Sequence, residues 1–556
     1  MHDLRRPTLL LLAVLMGGAA SDFAEDDAPG VSHYTPSGVF GAYLSGRFAA
    51  HNSDMDMAAD EFSQVMHEDG AVTEVATQAF ITAVLAGRPE ASAMAATQLD
   101  NPLAVLVLSN DDAAAGRWAA AEARLRTLPD SSLTQVLQPL LTAWAEQGQG
   151  RTQAALLTLQ PAIDTAKFRG VMTLHAALIA DLGGQTSTAA ALYRNARAEN
   201  AGINLRLGQI LASWQARQGL VSEAQQTIQD TVASNGDLVM ARPALERALE
   251  RPVIRTAADG MAEVYLALAA TLRQQNALES AQVMLRFALS LRPEFTAARL
   301  VMSDVLEAGR HWPQALAILA ATPPDDPLAP IVALRRAALL ERTGDDAAAQ
   351  RMLEQLAEEH PDRPEPLAQW AGLLRQHERF AEAVAVYDRA VARVATPSRG
   401  NWPLFYERGI ALERSGRWAR AEADFKFALE LAPDQPNVLN YLGYAWADRG
   451  EHLEEASGMV QRAVSLRPND GSIIDSLGWI LLRQGDKAGA LKQLERAVEL
   501  EPEDPVINAH LGDALVAVGR KREAEFQWRR ALNLKPDPDD QHAIEVKLRE
   551  LETPGR

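Results

Sequence analysis

Small residues and prolines recur along the C-terminal half of this chain at steps of 34 or 35 residues. A fixed period of about 20 to 50 residues is typical of repeat architectures, in which each period forms one supersecondary unit. Such a chain folds into a one-dimensional stack in which each unit contacts its neighbours. The three series are Gly409, Gly443, Gly478 and Gly512; Ala421, Ala456, Ala490 and Ala524; and Pro433, Pro468, Pro502 and Pro536.

Within each period the residue types are those of two packed helices. A large residue follows the alanine by four positions, as in Ala421-x3-Phe425. A small residue is needed where two helices cross closely, and a large one fills the space beside it. Gly416 and Gly450 stand where a first helix should end, because a left-handed residue is favoured there. The sequence therefore predicts an all-α fold of helical hairpins.

These positions match the tetratricopeptide repeat (TPR) pattern W-x2-L-G-x2-Y, A-x3-F and P, which recurs every 34 residues or so. The segment Leu439-x2-Leu442-Gly443-x2-Trp446 is one such first helix. The chain thus resembles the TPR family, which implies a helical-hairpin solenoid wound into a right-handed superhelix. We expect the first helices, each about 20 Å long, to line a concave wall that binds other macromolecules.

The repeat frame becomes less regular towards the N-terminus. We predict eight TPR repeats in residues 262–538 and degenerate TPR-like repeats in residues 38–238. Residues 239–261, which contain Pro243 and Pro252, are predicted to interrupt the frame between two solenoid halves. Residues 539–556 are predicted to form a C-terminal capping helix and tail, because an open solenoid end needs a polar cover.

The first 20 residues differ from the rest of the chain. Arg5 and Arg6 precede the apolar run 9–16, and the small residues 17–20 follow. This order is typical of a secretory signal peptide, although an ordinary N-terminal helix is the alternative. We expect residues 1–20 to be a signal peptide and the mature chain to lie in the periplasm, free or at the envelope surface. We expect no transmembrane span after cleavage.

Charge and composition exclude several classes of function. The net charge of -19 argues against a nucleic-acid binder, which needs clustered Lys and Arg. The chain has no Cys, so disulfides, a Cys nucleophile and Cys-based metal sites are excluded. No catalytic or nucleotide-binding motif occurs, and the carboxylates are expected at solvent-facing positions. We predict a protein that is not an enzyme and has no cofactor or metal.

Inner-face positions of the last four repeats are the candidate binding site. Tyr444 and Trp479 are equivalent in adjacent repeats, and so are Asn440 and Asp475. Aromatic faces can hold the side chains of an extended peptide while amide and carboxylate groups bind its backbone. The alternative is that both rings pack between repeats. The predicted partner-binding set is Tyr406, Asn440, Tyr444, Asp475, Trp479, His510 and Asp513.

The stretch from about residue 402 to 536 carries a narrower resemblance. The segments 440–450 (NYLGYAWADRG), 475–479 (DSLGW) and 510–515 (HLGDAL) resemble Gram-negative envelope TPR proteins. Some of those are lipoprotein adaptors of periplasmic C-terminal processing proteases. The resemblance implies a scaffold or adaptor whose partners are proteins or peptides, including such a protease and its substrates. This chain has no Cys to acylate. A TPR scaffold for polysaccharide export or cell-wall synthesis machinery is the alternative.

Overall fold

The computed structural model describes residues 38–52, 54–68, 73–165, 168–199, 204–234 and 236–552. Over these ranges the regular structure consists of 30 α-helices and two 3-10 helices, with no strand. The prediction of an all-α solenoid of TPR-type hairpins is confirmed. The predicted signal peptide, residues 1–20, lies outside the described residues.

The helices of residues 38–234 are α1 Val39–His51, α2 Met55–Glu68, α3 Thr73–Ala86, α4 Glu90–Ala95, α5 Pro102–Ala114, α6 Trp118–Leu125, α7 Thr134–Gly148, α8 Thr152–Asp164, α9 Arg169–Leu182, α10 Thr186–Glu199, α11 Leu205–Arg217 and α12 Val221–Ser234. Those of residues 236–359 are α13 Arg242–Arg247, α14 Ala257–Gln274, α15 Leu278–Leu291, α16 Thr296–Ala308, α17 Trp312–Ala320, α18 Ala329–Arg342 and α19 Asp346–Glu359. The remaining helices are α20 Glu365–Gln376, α21 Phe380–Ala392, α22 Trp402–Arg414, α23 Trp418–Leu431, α24 Pro436–Arg449, α25 Leu453–Leu466, α26 Gly471–Gln484, α27 Lys487–Leu500, α28 Pro505–Ala517, α29 Lys521–Asn533 and α30 Pro538–Glu552.

The chain divides into two compact units, Met1–Met352 and Leu353–Arg556. Residues 239–261, predicted as an interruption between two halves, lie inside the first unit. There the 3-10 helix Gly236–Ala241 and the six-residue helix α13 stand in place of a regular hairpin. Regular pairing resumes at α14, where the Thr256 hydroxyl accepts a hydrogen bond from the Asp259 amide and the Asp259 carboxylate accepts one from the Thr256 amide.

A left-handed residue follows the first helix of the hairpins. Gly416 and Gly450 have φ of 75° and 72°, as their position in the repeat predicts. Asn276, Arg310 and Glu378 stand at equivalent steps with φ of 59°, 61° and 57°. These three residues lack the conformational freedom of glycine, so the repeat geometry imposes the left-handed turn at a cost of about 1 kcal/mol each.

Close helix crossings explain the glycine series in the second unit. A Cβ added to Gly409 would lie 2.6 Å from Cε1 of Phe425, and one added to Gly478 would lie 2.5 Å from Cγ of Leu494. Both distances are shorter than carbon atoms tolerate, so only glycine permits the helix of each hairpin to approach its partner this closely. The large residue four positions after the alanine, Phe425 or Leu494, therefore fills the space where the two helices cross.

The first unit departs from an open stack. The hairpin of α14 and α15 packs against the first helices of earlier repeats, α3, α5, α7 and α9. The Tyr265 hydroxyl on α14 donates a 2.9 Å hydrogen bond to Oδ1 of Asn110 on α5. Nε of Arg286 on α15 donates one of 2.6 Å to the carbonyl oxygen of Leu85 at the end of α3. The expectation that the first helices line a concave wall that binds other macromolecules is therefore wrong for these helices, which the chain itself covers.

The sequence of α5 gives the physical reason for this covering. Its residues LAVLVL are apolar on consecutive positions, and the helix buries residues on nearly every side. A helix that is apolar all round must be surrounded by protein. In α22 of the second unit, by contrast, the buried positions are confined to Leu404, Phe405, Gly409, Ala411 and Leu412.

Candidate functional site

A cleft of about 230 Å³ lies among α24, α26 and α28 in the second unit. Four of the seven predicted binding residues line it: Asn440, Tyr444, Asp475 and His510. They come from three consecutive first helices, so the repeat brings together side chains that are about one period apart in sequence.

Asp475 and His510 form a buried pair at the base of this cleft. Their exposed fractions are 5% and 8%, and Nδ1 of His510 lies 2.9 Å from Oδ2 of Asp475. Burial disfavours the charged imidazole, but the adjacent Asp475 carboxylate outweighs it and Asp513 adds to its effect, so the pKa of His510 is raised; Lys547 opposes the rise. The pair presents a charge-assisted hydrogen bond that fixes both side chains.

Asn440 provides a buried acceptor without a partner among the described residues, and Tyr444 provides a hydroxyl in the same cleft. Oδ1 of Asn440 is buried and accepts no hydrogen bond within the described part of the chain. Tyr444 is half-buried, and burial, with smaller contributions from Asp448 and Asp475, raises its pKa to about 12. Its hydroxyl is therefore neutral at physiological pH and can both donate and accept a hydrogen bond. An unpaired buried acceptor beside an aromatic ring is an arrangement that a ligand N–H group would complete.

Trp479 lies next to the cleft and does not line it. Its ring stacks on that of His510 with a centroid separation of 4.5 Å and an interplanar angle of 19°. The guanidinium of Arg483 lies 5.8 Å from the centroid of the indole. In this structure Trp479 therefore packs between repeats and holds the imidazole in place, while Tyr444, at the equivalent position of the preceding repeat, lines the cleft.

Tyr406 and Asp513 do not line the cleft. The Tyr406 ring packs edge-on against Tyr441, with centroids 5.9 Å apart, within an aromatic cluster. Asp513 accepts a hydrogen bond of 3.1 Å from Nε1 of Trp528 and one of 2.7 Å from Nζ of Lys547. These contacts give both residues roles in packing the repeats and docking α30.

Other residues of the cleft lie beside the predicted positions. Tyr441 and Ser476 directly follow Asn440 and Asp475 and lie about 100° further round their helices, so the predicted inner-face positions did not indicate them. Asp504 lines the cleft from the start of α28, where its carboxylate accepts hydrogen bonds from the first amides of that helix. Its position before Pro505 is a sequence signal for such a cap.

The expectation that carboxylates occupy solvent-facing positions is wrong for several of them. Asp424 is 7% exposed and accepts two hydrogen bonds of 2.7 Å from the guanidinium of Arg408. Asp475 is buried against an imidazole in the same way. A buried carboxylate requires a cationic or hydrogen-bonding partner. The 34-residue period alone does not identify which residues provide these partners.

Within the ranges that the structure describes, no helix is both long and apolar enough to cross a bilayer. The same residues contain no group of three or more His, Asp or Glu side chains placed to hold a metal ion.

Models of known families match three stretches of this chain. One tetratricopeptide repeat model matches residues 406–471, and a second matches residues 272–339 and 481–548. These stretches are tetratricopeptide repeats. The candidate cleft lies within the TPR repeats of the second unit, since its helices α24, α26 and α28 span residues 436–517.

Individual proteins resemble this chain over part or most of its length. The TPR repeat-containing protein PA4667 of Pseudomonas aeruginosa is 40% identical over 91 residues, which make up 16% of this chain and 15% of that protein. The crystal structure of the APC/C hetero-tetramer Cut9-Hcn1 covers 93% of this chain and 97% of the matched chain at 14% identity, with a TM-score of 0.39. The crystal structure of YrrB, described as a TPR protein with an unusual peptide-binding site, covers 35% of this chain and 97% of the YrrB chain. The identity is 22% and the TM-score is 0.28.

Proposed function

We propose that this chain is a non-enzymatic scaffold that binds partner proteins by holding a peptide segment in the cleft of its second unit. TPR repeats generally act as protein-interaction scaffolds. The observation that supports the proposal is the combination of an aromatic ring, Tyr444, with the unpartnered Oδ1 of Asn440 in one cleft of a TPR stack.

The chemistry of the cleft favours an extended segment. The Asn440 amide carries one acceptor and two donors, so it can pair with both the N–H and the C=O of a peptide backbone. The Tyr444 ring offers a rigid apolar face to a neighbouring side chain. Each hydrogen bond contributes about 1 kcal/mol net, so affinity depends on several such contacts along the groove.

Charge restricts the segment further. Asp475 is already bonded to His510, and Asp504 is bonded to the first amides of α28. Two carboxylates and one imidazole line the cleft, and the whole chain carries a net charge of -19. A neutral or basic segment therefore fits it better than an acidic one.

We further propose that binding takes place in the bacterial cell envelope. This part of the proposal is supported by the signal-peptide pattern of residues 1–20. A processing protease as partner is supported by the resemblance of residues 402–536 to envelope adaptors, and the identity of a captured partner tests it.

The experiment compares two variants of the tagged full-length chain. The double variant Asn440→Ala, Tyr444→Ala removes the free acceptor and the ring from the cleft. Phe526→Ala removes an aromatic ring that is 64% exposed on α29 and serves as the matched control. Each protein is immobilised, incubated with envelope extract, and its bound proteins are quantified by mass spectrometry.

We expect the double variant to bind its specific partner about 30-fold more weakly than the wild type does. The residues that dominate an interface contribute about 2 kcal/mol or more to the binding free energy together. The control should retain that partner, and both variants should keep wild-type circular dichroism. Equal recovery of every partner by the double variant and the wild type would contradict the proposal.

A further inference from the structure

A second and larger cleft lies in the first unit, beside the irregular segment that precedes α14. Its volume is about 580 Å³, and it is lined by α11, by residues 245–255 and by residues 292–297 and 323–328. The irregular segment between α13 and α14 forms one of its sides. Ile228, Leu245 and Leu249 give it an apolar surface, and four arginines, including Arg206 and Arg292, also line it.

Arg292 is a buried guanidinium with unused hydrogen-bond donors. Its side chain is 16% exposed, and Nη1 donates a 3.3 Å hydrogen bond to the carbonyl oxygen of Val253. Its Nε is buried and has no partner within the described residues. The nearest carboxylate oxygens, on Asp259 and Glu263, lie 3.8 and 3.9 Å away, which is too far for a hydrogen bond. An arginine has five N–H donors, so most of these remain available.

A second guanidinium lies close to the first. Those of Arg206 and Arg292 lie 5.0 and 4.7 Å from the centroid of the Phe295 ring. Arg206 is bonded to Glu263, with Nε 3.2 Å from Oε2. Burial, followed by the charge of Arg206, lowers the pKa of Arg292. The carboxylate of Glu263 is hydrogen-bonded to Arg206, so the Arg292 guanidinium has carboxylates nearby but none within hydrogen-bond distance.

We propose that this cleft binds a peptide carboxylate that neighbours an apolar side chain. The carboxylate accepts hydrogen bonds from Arg292, and the apolar side chain packs on Leu245 and Leu249. A planar guanidinium matches the two oxygens of a carboxylate. The volume of the cleft suits several residues of a peptide, which an inorganic anion would leave mostly empty.

The other charges of the cleft favour a monoanion over a phosphate dianion. Glu294, Asp325 and Asp326 also line it, and Glu294 is bonded to Arg255 at 3.0 Å. Acidic groups therefore nearly balance the arginines, and a second negative charge on the ligand would be repelled. The carboxylate has two sources, the C-terminus of a chain or an Asp or Glu side chain, and the test separates them.

Four fluorescein-labelled peptides serve as probes of the full-length chain in a fluorescence-anisotropy titration. Gly-Ser-Ala-Leu-Leu is made with a free carboxylate and with a C-terminal amide. Gly-Ser-Leu-Glu-Leu amide is compared with its Gln counterpart. We expect at least one carboxylate peptide to bind, and its neutral counterpart to bind about tenfold more weakly. Binding of the first pair identifies a chain terminus as the source, and binding of the second identifies a side chain.

Variants then assign the contact. Arg292→Lys keeps the charge beside Asp259 and Glu263 but removes the planar fork, so we expect about tenfold weaker binding with an unchanged unfolding temperature. If that variant unfolds, the same titration is made with Arg251→Gln, a change at an exposed residue of the cleft. This variant should bind the carboxylate peptide about threefold more weakly. Arg194→Lys, exposed on α10 and outside the cleft, is the control. The proposal is overturned if no peptide binds, if neutral peptides bind equally well, or if folded Arg292→Lys and Arg251→Gln both bind as the wild type does.

Discussion

The hydrogen bond between Tyr265 and Asn110 joins helices that are far apart in the chain, and removing it tests how the first unit is held together. The two residues are 155 positions apart, both are buried, and the oxygen atoms lie 2.9 Å from each other. Nδ2 of Asn110 has no partner among the described residues, so this bond is the one that holds the Asn110 amide. Tyr265→Phe removes a single oxygen atom and leaves the Asn110 acceptor buried and unpaired.

The expected cost follows from this geometry. A buried polar group left unpaired costs about 1 to 3 kcal/mol, and loss of the desolvated hydroxyl offsets part of it, so we expect a net loss of about 1 to 2 kcal/mol. That corresponds to an increase of about 5- to 30-fold in the opening equilibrium. Since α14 packs against α7, and α15 of the same hairpin packs against α5, the helices should open together.

Hydrogen exchange followed by mass spectrometry measures this opening helix by helix. In Tyr265→Phe we expect α5 and α14 to exchange faster by the same factor, while α26 in the second unit keeps its wild-type rate. Tyr444→Phe, which removes an oxygen atom from a tyrosine of the second unit, is the control and should leave α5 unchanged. Faster exchange in α14 with no change in α5 would refute the view that the α14–α15 hairpin and the earlier repeats form one cooperative body.

Three further predictions concern the second unit. Gly478→Val should destabilise it by about 1 to 3 kcal/mol in urea denaturation, because the new side chain would overlap Leu494. The pKa of His510 is raised in the folded state, so its protonation stabilises the fold. This stabilisation should be fully present below the unfolded pKa of about 6.5 and be lost as the pH rises through the folded pKa. Free energies of unfolding measured at several pH values should show this decrease, and His510→Gln should remove it. Lys547→Ala should cost less than about 1 kcal/mol, since its ion pair is partly exposed, and should speed hydrogen exchange in α30 more than in α26.

The regular part of the fold could be predicted from the sequence because steric rules fix it. Gly409 and Gly478 lie at crossings that admit no Cβ, and Gly416 and Gly450 adopt the left-handed conformation that ends a first helix. The left-handed conformation of Glu378 could be inferred only from its place in the period, since its residue type disfavours it.

The covered helices and the side-chain pairs were harder to predict. The consecutive apolar residues of α5 indicate burial on all sides, but no local signal identifies α14 and α15 as the elements that cover it. Asp475 and His510 were both predicted as inner-face residues, yet their mutual bond depends on the offset between adjacent repeats. The surroundings of Arg292 depend on the irregular segment before α14, which the repeat period does not describe.

Site-specific photo-crosslinking in the producing organism shows whether the cleft of the second unit contacts a protein partner. A benzophenone side chain is introduced at position 444, which lines the cleft, or at position 526, which is exposed on α29. We expect a discrete adduct with a partner protein from position 444 and none of the same mass from position 526. Adducts from position 526 with none from position 444 would contradict this expectation.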